Sequence, residues 1–318
     1  MSHATPIRTG LSRATRWRLL FLFALATALP SALATLPVWQ LLSGLLDHAP
    51  RADLLARGLE SSWLPDLARA LVEKPAASAI PGGLLAGLVM ALLLAPVMAG
   101  AALAEAGSER PLRFRPLLAG AGEAYGRMLR MVLVAVLPLG AAGLAAAGVF
   151  HLAGKAGEKA VTESAAVAQG RWALVIAAGF FFVAHLTVDA GRARMAAQPV
   201  RRSAFLAWLS GTWLVMRKPI RTAGVGIVGA LAGIGLGLAV MAVRQRLPAG
   251  PAWSIWTGIL LAQVAAAAVG WGRAIRIAGL AEIARGDLEA REGKRAAEAV
   301  AAVAVDPVQA PPDPPPER

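Results

Sequence analysis

Long apolar runs dominate the pattern of the chain, and its polar residues are gathered between them. Each run has about the 20 residues that an α-helix needs to cross the hydrocarbon core of a bilayer. The runs are continuous and do not alternate between apolar and polar residues, which predicts helices and not strands. They lie at residues 19–42, 82–103, 131–152, 172–188, 222–243 and 255–271. The sequence therefore predicts an all-α integral membrane protein with six transmembrane helices.

These spans divide the chain into three parts. Residues 1–18 form a basic N-terminus, residues 19–285 form the six-span membrane domain, and residues 286–318 form a tail. The tail begins as a charged helical segment and ends in DPVQAPPDPPPER, which cannot build a core and is expected to be disordered. After the first span, residues 50–75 carry leucines at helical spacing, which predicts short helices lying on the outer face of the membrane.

Lysine and arginine are concentrated in alternate connections between the spans. The N-terminus, the second and fourth connections and the segment after the sixth span are strongly basic, whereas the other connections are poorer in net positive charge. By the positive-inside rule, this pattern places both termini in the cytoplasm. Residues 16–34 also have the features of a cleavable signal peptide, but we favour an uncleaved first helix because apolar character continues to residue 46.

Composition narrows the functional classes. The 318 residues are 57% hydrophobic and 16% charged and include no cysteine, which excludes disulfides, thiolate metal sites and a cysteine nucleophile. A net charge of +13 would suggest nucleic acid for a soluble protein, but these cations flank apolar runs, so we expect anionic lipid as the partner and no nucleic acid. The histidines are scattered and no hydrolase or phosphate-loop motif occurs, so we expect no enzymatic activity, cofactor or metal.

A short motif is repeated at the ends of the second and fourth spans. The second span ends in LAEAGSER and the fourth in TVDAGRAR, and an amphipathic stretch follows each of them, at residues 117–131 and 203–219. These stretches predict amphipathic elbow helices on the cytoplasmic surface. A weaker third copy after the sixth span predicts that the bundle consists of three consecutive helix hairpins.

The motif VDAGRAR, the aromatic elbow after it and MRKPIRTAG before a Gly-rich fifth span carry a resemblance. In this order the chain resembles a broad group of bacterial six-helix integral membrane proteins, which are similar to the membrane region attached to some glycerophosphodiester phosphodiesterases. The soluble catalytic barrel of those enzymes is not among the 318 residues. The resemblance therefore implies an architecture and not phosphodiesterase activity.

Four polar side chains within or at the ends of the spans are candidates for a proton or ion path. His185 and Asp189 are one helical turn apart, Glu105 has the place in the second span that Asp189 has in the fourth, and Gln263 is in the middle of the sixth. Buried ionisable groups of this kind occur in transporters. The alternative is structural, with each acid paired to a nearby arginine and Gln263 bonded to another helix.

The basic residues after the fourth span are candidates for contacts with lipid headgroups. They are Arg192, Arg194, Arg201, Arg202, Arg217, Lys218 and Arg221.

Gly229, Gly233 and Gly237 form a stripe of small residues on the fifth span. Such a stripe lets a second helix backbone come close. It fits packing within the chain or a contact between two copies, and we favour packing within the chain.

Two functional hypotheses follow from these patterns. The first is a non-enzymatic accessory or scaffold protein of the bacterial inner membrane, which contacts anionic lipid. This hypothesis is compatible with a membrane-protein partner or with a homo-oligomer. The alternative is a small transporter or permease that uses His185, Asp189 and Glu105 in a polar path. A transporter requires these side chains to face a common cavity, whereas a scaffold requires them to face headgroups or arginines.

Overall fold

The computed structural model describes residues 4–46, 64–73, 75–108, 110–198, 203–248 and 252–305, which form nine α-helices and no strand. In chain order the helices are α1 (Ala4–Ala14), α2 (Trp17–Leu46), α3 (Leu64–Glu73), α4 (Pro75–Gly107), α5 (Phe114–Glu158), α6 (Glu163–Ala197), α7 (Ala204–Arg217), α8 (Pro219–Arg244) and α9 (Ala252–Val305).

Six of these helices, α2, α4, α5, α6, α8 and α9, are long and apolar enough to cross a membrane, which confirms the predicted all-α membrane fold. Three hairpins follow one another along the chain, since α2 packs against α4, α5 against α6 and α8 against α9. Helix α9 also packs against α6 and α2 and so joins the hairpins. The N-terminal helix α1, the elbow helix α7 and the C-terminal half of α9 lie at one end of the bundle. We call this end the basic end.

Near the N-terminus the structure has a helix that was not predicted. Residues 4–14, predicted only as part of a basic terminus, form α1, which packs along α9. A Cβ built on Gly10 would lie 2.8 Å from the carbonyl oxygen of Ile275, so a residue without a side chain lets the two backbones touch. This contact joins residues that are far apart in sequence, and local periodicity carries no signal for it.

Only one of the two predicted elbows is a separate helix. Helix α7 begins after Ser203, whose hydroxyl accepts a hydrogen bond from the backbone N–H of Leu206, and it ends just before Pro219. Residues 117–131 differ from the prediction because they form the first turns of α5. Pro116 lies in the first turn of α5, where a proline is tolerated, and no other proline precedes Pro138, so the helical hydrogen bonds continue into the membrane span.

The predicted outer segment and the predicted tail are described only in part. Helix α3 lies within the predicted outer segment at residues 50–75, while residues 47–63 lie outside the described residues. Helix α9 continues through the beginning of the predicted tail to Val305. The Pro-rich end, residues 306–318, lies outside the described residues, so its predicted disorder stays a prediction.

Small residues bring several helix pairs into close backbone contact. In α4, Gly83 and Gly87 lie against the carbonyl oxygens of Leu33 and Pro30, at 2.9 and 2.8 Å from the Cβ that each lacks. Between α6 and α7, a Cβ on Gly211 would lie on the backbone of Gly191. In lipid there is no hydrophobic driving force between apolar helices. Small residues let the backbones come close, and the resulting van der Waals contacts hold the helices together.

The glycine stripe of α8 packs against α9. A Cβ on Gly233 would lie 2.9 Å from the Cα atom of Gly272 and 3.0 Å from the carbonyl oxygen of Ala268. A Cβ on Gly229 would lie 2.7 Å from the carbonyl oxygen of Gly272, and one on Gly237 would lie at ordinary contact distance from α9. The stripe therefore packs within the chain.

We expect Gly233→Ala to lower the free energy of unfolding by about 1–3 kcal/mol, because its new methyl group would press on backbone atoms that cannot rotate away. Gly235→Ala on the same helix is the matched control, since a Cβ there would meet no atom within 4 Å. Thermal unfolding of the purified protein in detergent measures both variants. Equal melting temperatures for the two variants would contradict the packing described for α8 and α9.

Candidate functional site

The C-terminal part of α6 is buried on every side. Ten consecutive residues from Leu186 to Met195 are buried, although they include Asp189, Arg192 and Arg194. A helix segment surrounded by protein is normally apolar throughout. Each charged side chain in this segment therefore needs a partner from a neighbouring element.

Asp189 lies at the centre of a cluster of arginines from α6 and α9. Its Oδ1 atom accepts a hydrogen bond from Arg192 Nη1 at 2.6 Å and lies 3.9 Å from Arg273 Nε. Its Oδ2 atom accepts from Arg276 Nε at 3.3 Å. We call these four residues the Asp189 cluster. Three guanidinium groups face one carboxylate, so the cluster carries more positive than negative charge.

A second acid, Asp287, is held by cations from three elements. Arg194 of α6 donates a hydrogen bond to Asp287 Oδ2, while Lys218 Nζ lies 3.4 Å from Oδ1 and Arg291 Nε lies 3.1 Å from Oδ2. Asp287 is 16 residues beyond the predicted end of the sixth span at residue 271, about 24 Å along the helix. We call this set of four residues the Asp287 cluster.

The surroundings of Asp287 favour its charged form. Burial raises the pKa of Asp287, but the hydrogen bond and charge of Arg194, together with the charges of Arg291 and Lys218, lower it by more. The pKa of Asp287 therefore lies below its ordinary value, and the carboxylate fixes α9 against α6 and the start of α8.

Glu105 holds the end of α4 against the N-terminal helices. Its Oε1 atom accepts a hydrogen bond from Arg16 Nη1 at 2.5 Å and lies 3.4 Å from the backbone nitrogen of Leu112. The next carbonyl group, that of Ala106, accepts from Arg285 Nη2 at 3.0 Å and also from Arg13. Cations suit this position because carbonyl groups at a helix C-terminus lack intrahelical partners and carry partial negative charge.

His185 lies outside this network. Its side chain is exposed on the surface of α6, and its Nδ1 atom lies 2.8 Å from the carbonyl oxygen of Phe181 one turn earlier. Asp189, one turn later, points into the bundle. The i, i+4 spacing places the two residues one turn apart on α6. Neighbouring helices cover Asp189 but leave His185 exposed, so the two side chains have different surroundings.

Gln263 pairs across two helices near the middle of the membrane domain. Its Oε1 atom lies 3.4 Å from the hydroxyl oxygen of Thr27 in α2. It also borders an apolar groove of about 340 Å³ whose walls include Leu20, Phe21 and Trp271.

The four residues of the predicted polar path do not meet in one cavity. Glu105 and Asp189 each have their own arginine partners, His185 faces outward, and Gln263 lies beside Thr27.

The predicted headgroup-contacting residues fall into two groups. Arg192 and Arg194 are buried in ion pairs because α7 and α9 cover the end of α6, so neither lies on the surface where headgroup contacts were predicted. The rest of the set reaches the surface where it is described.

Arg217 and Arg221 are exposed, and the Arg217 guanidinium lies 5.0 Å from the ring centre of Trp213. Lys218 is half-buried beside Asp287. Arg201 and Arg202 lie outside the described residues.

The sequence pointed to a nearby arginine as the partner of each acid, which Arg192 is for Asp189, but it did not identify the distant partners. The repeated motif drew attention to Glu105 and Asp189, but Arg16 precedes Glu105 by 89 residues, and Arg276 follows Asp189 by 87. Asp287 had no signal beyond its place in a charged tail. Within the described parts of the chain, no group of three or more His, Cys, Asp or Glu residues is arranged to hold a metal ion.

The fold and this network define a multi-pass α-helical membrane protein whose helices are joined at one end by buried ion pairs. Comparison with protein-family models, with curated proteins and with solved structures found no match for the chain. The resemblance to the membrane region of some glycerophosphodiester phosphodiesterases therefore stays a prediction.

We expect Asp189→Asn to lower the free energy of unfolding by about 3–5 kcal/mol, because one buried and two partly buried arginines would lose their only carboxylate partner in the Asp189 cluster. Glu123→Gln, which removes an exposed acid from α5, is the control and should change stability by less than about 0.5 kcal/mol. Reversible unfolding in mixed detergent measures the difference. A loss for Asp189→Asn no larger than that of the control would contradict the structural role of the cluster.

Proposed function

We propose that the chain is a non-enzymatic accessory or scaffold protein of the bacterial inner membrane, with both termini in the cytoplasm. In this proposal the basic end of the bundle binds the headgroups of anionic lipids and provides a rigid, positively charged platform at the membrane surface. Exposed arginines next to exposed aromatic rings at this end carry the proposal.

Exposed tryptophans support the placement of the bundle in the membrane. Trp17 and Trp39 lie near opposite ends of α2, and both are more than half exposed. They are 22 residues apart, about 33 Å along a helix, which is close to the thickness of a bilayer hydrocarbon core. Tryptophan prefers the two membrane–water interfaces, so these side chains fit the two boundaries.

Exposed arginines surround the basic end. Five of them are Arg8, Arg110, Arg113, Arg115 and Arg221, and Arg217 lies against the ring of Trp213. Arg18 similarly lies 5.2 Å from the ring centre of Trp17. Cations beside aromatic rings at the end of a bundle fit the zone of lipid phosphates, and a concentration of cations on one side fits the cytoplasmic face.

The transporter alternative lacks the geometry that it needs. A transport path requires polar side chains that converge on one cavity, as in other membrane carriers. Here His185 faces outward, Glu105 and Asp189 belong to separate ion pairs, and Gln263 bonds toward Thr27. These positions favour the scaffold hypothesis.

The proposed orientation is tested by labelling single cysteines, because the natural chain has none. Ser12→Cys would place a thiol on exposed α1 at the basic end, and Val161→Cys would place one in the fully exposed turn between α5 and α6. We expect a membrane-impermeant maleimide to label Val161→Cys in intact spheroplasts and Ser12→Cys only after lysis. The opposite labelling pattern would reverse the topology and refute a cytoplasmic basic end.

The proposed contact with lipid is tested by a pair of double variants. We expect added phosphatidylglycerol to raise the melting temperature of the wild type in neutral detergent by more than phosphatidylcholine does, and more strongly at low salt. Arg217→Gln with Arg221→Gln should reduce this difference. Arg244→Gln with Arg246→Gln removes two exposed arginines from the opposite end of α8 and should leave it unchanged. Equal effects of the two double variants would contradict headgroup binding at the basic end.

A further inference from the structure

The Asp189 cluster holds a positive charge that its own residues do not balance. Arg192, Arg273 and Arg276 surround a single carboxylate, and no other acid is within ion-pair distance of these three among the described residues. The Nε atom of Arg192 is buried and has no hydrogen-bond partner. Buried guanidinium groups in excess of carboxylates are costly unless another anion neutralises them.

The cluster is accessible from one side. Asp189 and Arg192 keep 1% and 5% of their side-chain surface accessible, whereas Arg276 keeps 16% and Arg273 keeps 32%. Accessibility thus rises from the carboxylate toward Arg273. An anion would meet the Arg273 guanidinium first, with Arg192 and Arg276 behind it.

The depth of the cluster in the membrane indicates which anion it meets. Arg273 follows Trp256 by 17 residues in α9, and Asp189 follows Trp172 by 17 residues in α6, about 26 Å in each helix. Trp172 and Trp256 are both exposed at the opposite end of the bundle. If these rings mark that interface, the Asp189 cluster lies at the other boundary of the hydrocarbon core, next to the lipid phosphates.

We propose that Arg273, supported by Arg192 and Arg276, binds one phosphate group, that of an anionic lipid headgroup. The guanidinium group suits this role because its donors match the oxygen atoms of a phosphate and it stays charged when partly desolvated. Asp189 is then a positioning residue that orients the three arginines. The inference rests on the proposed contact with anionic lipid. It goes further because it assigns a defined site for a single lipid, and this site does not include the exposed Arg217 and Arg221.

The Asp287 cluster provides an internal comparison. It has the same composition of one carboxylate with three cations, and Arg291 is its most accessible member. Asp287 lies 14 residues farther along α9 than Arg273, about 21 Å along the helix. A phosphate held by Arg273 is therefore too far along the helix to touch Arg291.

The test is native mass spectrometry of the full chain released from detergent with added dioleoyl phosphatidylglycerol, with dioleoyl phosphatidylcholine as the neutral comparison. We expect one phosphatidylglycerol to stay bound to the wild type under conditions that remove phosphatidylcholine. Arg273→Gln should weaken this binding by roughly 10- to 100-fold, the effect of losing a hydrogen-bonded charge. Arg291→Gln, the matched control, should keep wild-type binding.

A second variant and a second ligand complete the test. Arg273→Lys keeps the charge but loses the planar pair of donors, so its affinity should fall between those of the wild type and Arg273→Gln. To test whether a free anion binds instead of a lipid, thermal unfolding is measured with 10 mM inorganic phosphate. If inorganic phosphate stabilises the wild type as much as the lipid does, in a way that depends on Arg273, that result would support a phosphate site at Arg273 but would refute the proposal that its ligand is a lipid.

The site is overturned if Arg273→Gln retains phosphatidylglycerol with wild-type affinity, or if Arg291→Gln loses it to the same extent. It is also overturned if the wild type does not discriminate phosphatidylglycerol from phosphatidylcholine, a result that does not depend on whether any variant folds. The Arg217→Gln and Arg221→Gln double variant separates the two proposals. It should lose the salt-dependent stabilisation by bulk anionic lipid and still retain the single bound lipid.

Discussion

A carboxylate enclosed by packed helices needs cationic partners at hydrogen-bond distance, and the basic end of this bundle is arranged around that requirement. Asp189 is nearly inaccessible, and its arginine partners come from its own helix and from α9. Helix α9 must therefore lie alongside the end of α6 at a fixed height. Asp287 and Arg194 repeat the constraint farther along the same two helices, so that rotation or sliding of α9 would break both contacts together.

Glycine contacts and ion pairs fix different features of the bundle: the former set the distance between helices, and the latter set their register. Within the membrane, lipid is as apolar as the helices, so close backbone approach supplies the attraction, as between Gly233 and Gly272. Such smooth surfaces specify distance better than they specify register along the helix. The ion pairs of Glu105 and Asp189 at the basic end specify register, because a shift of one residue would separate the charged atoms.

The arginines of the basic end have two roles that their residue type does not distinguish. Arg192 and Arg194 are turned inward and hold helices together, whereas Arg217 and Arg221 are turned outward, where lipid headgroups would lie. Arg273 is intermediate, since it faces Asp189 and is still accessible. A surface of this kind combines a rigid charged framework with exposed cations, and the proposed contact with anionic lipid rests on this combination.

The sequence by itself determined the number, order and approximate limits of the membrane helices, since a span requires about 20 apolar residues wherever it packs. It also marked Asp189 and Glu105 through their matching places in two spans, and it marked the glycine stripe of α8. The tertiary structure alone decided that α1 packs along α9, that His185 faces outward and that Arg192 and Arg194 face inward. These outcomes depend on contacts between residues some 90 or more positions apart in the chain or on which side of α6 is covered, and helical periodicity carries neither kind of information.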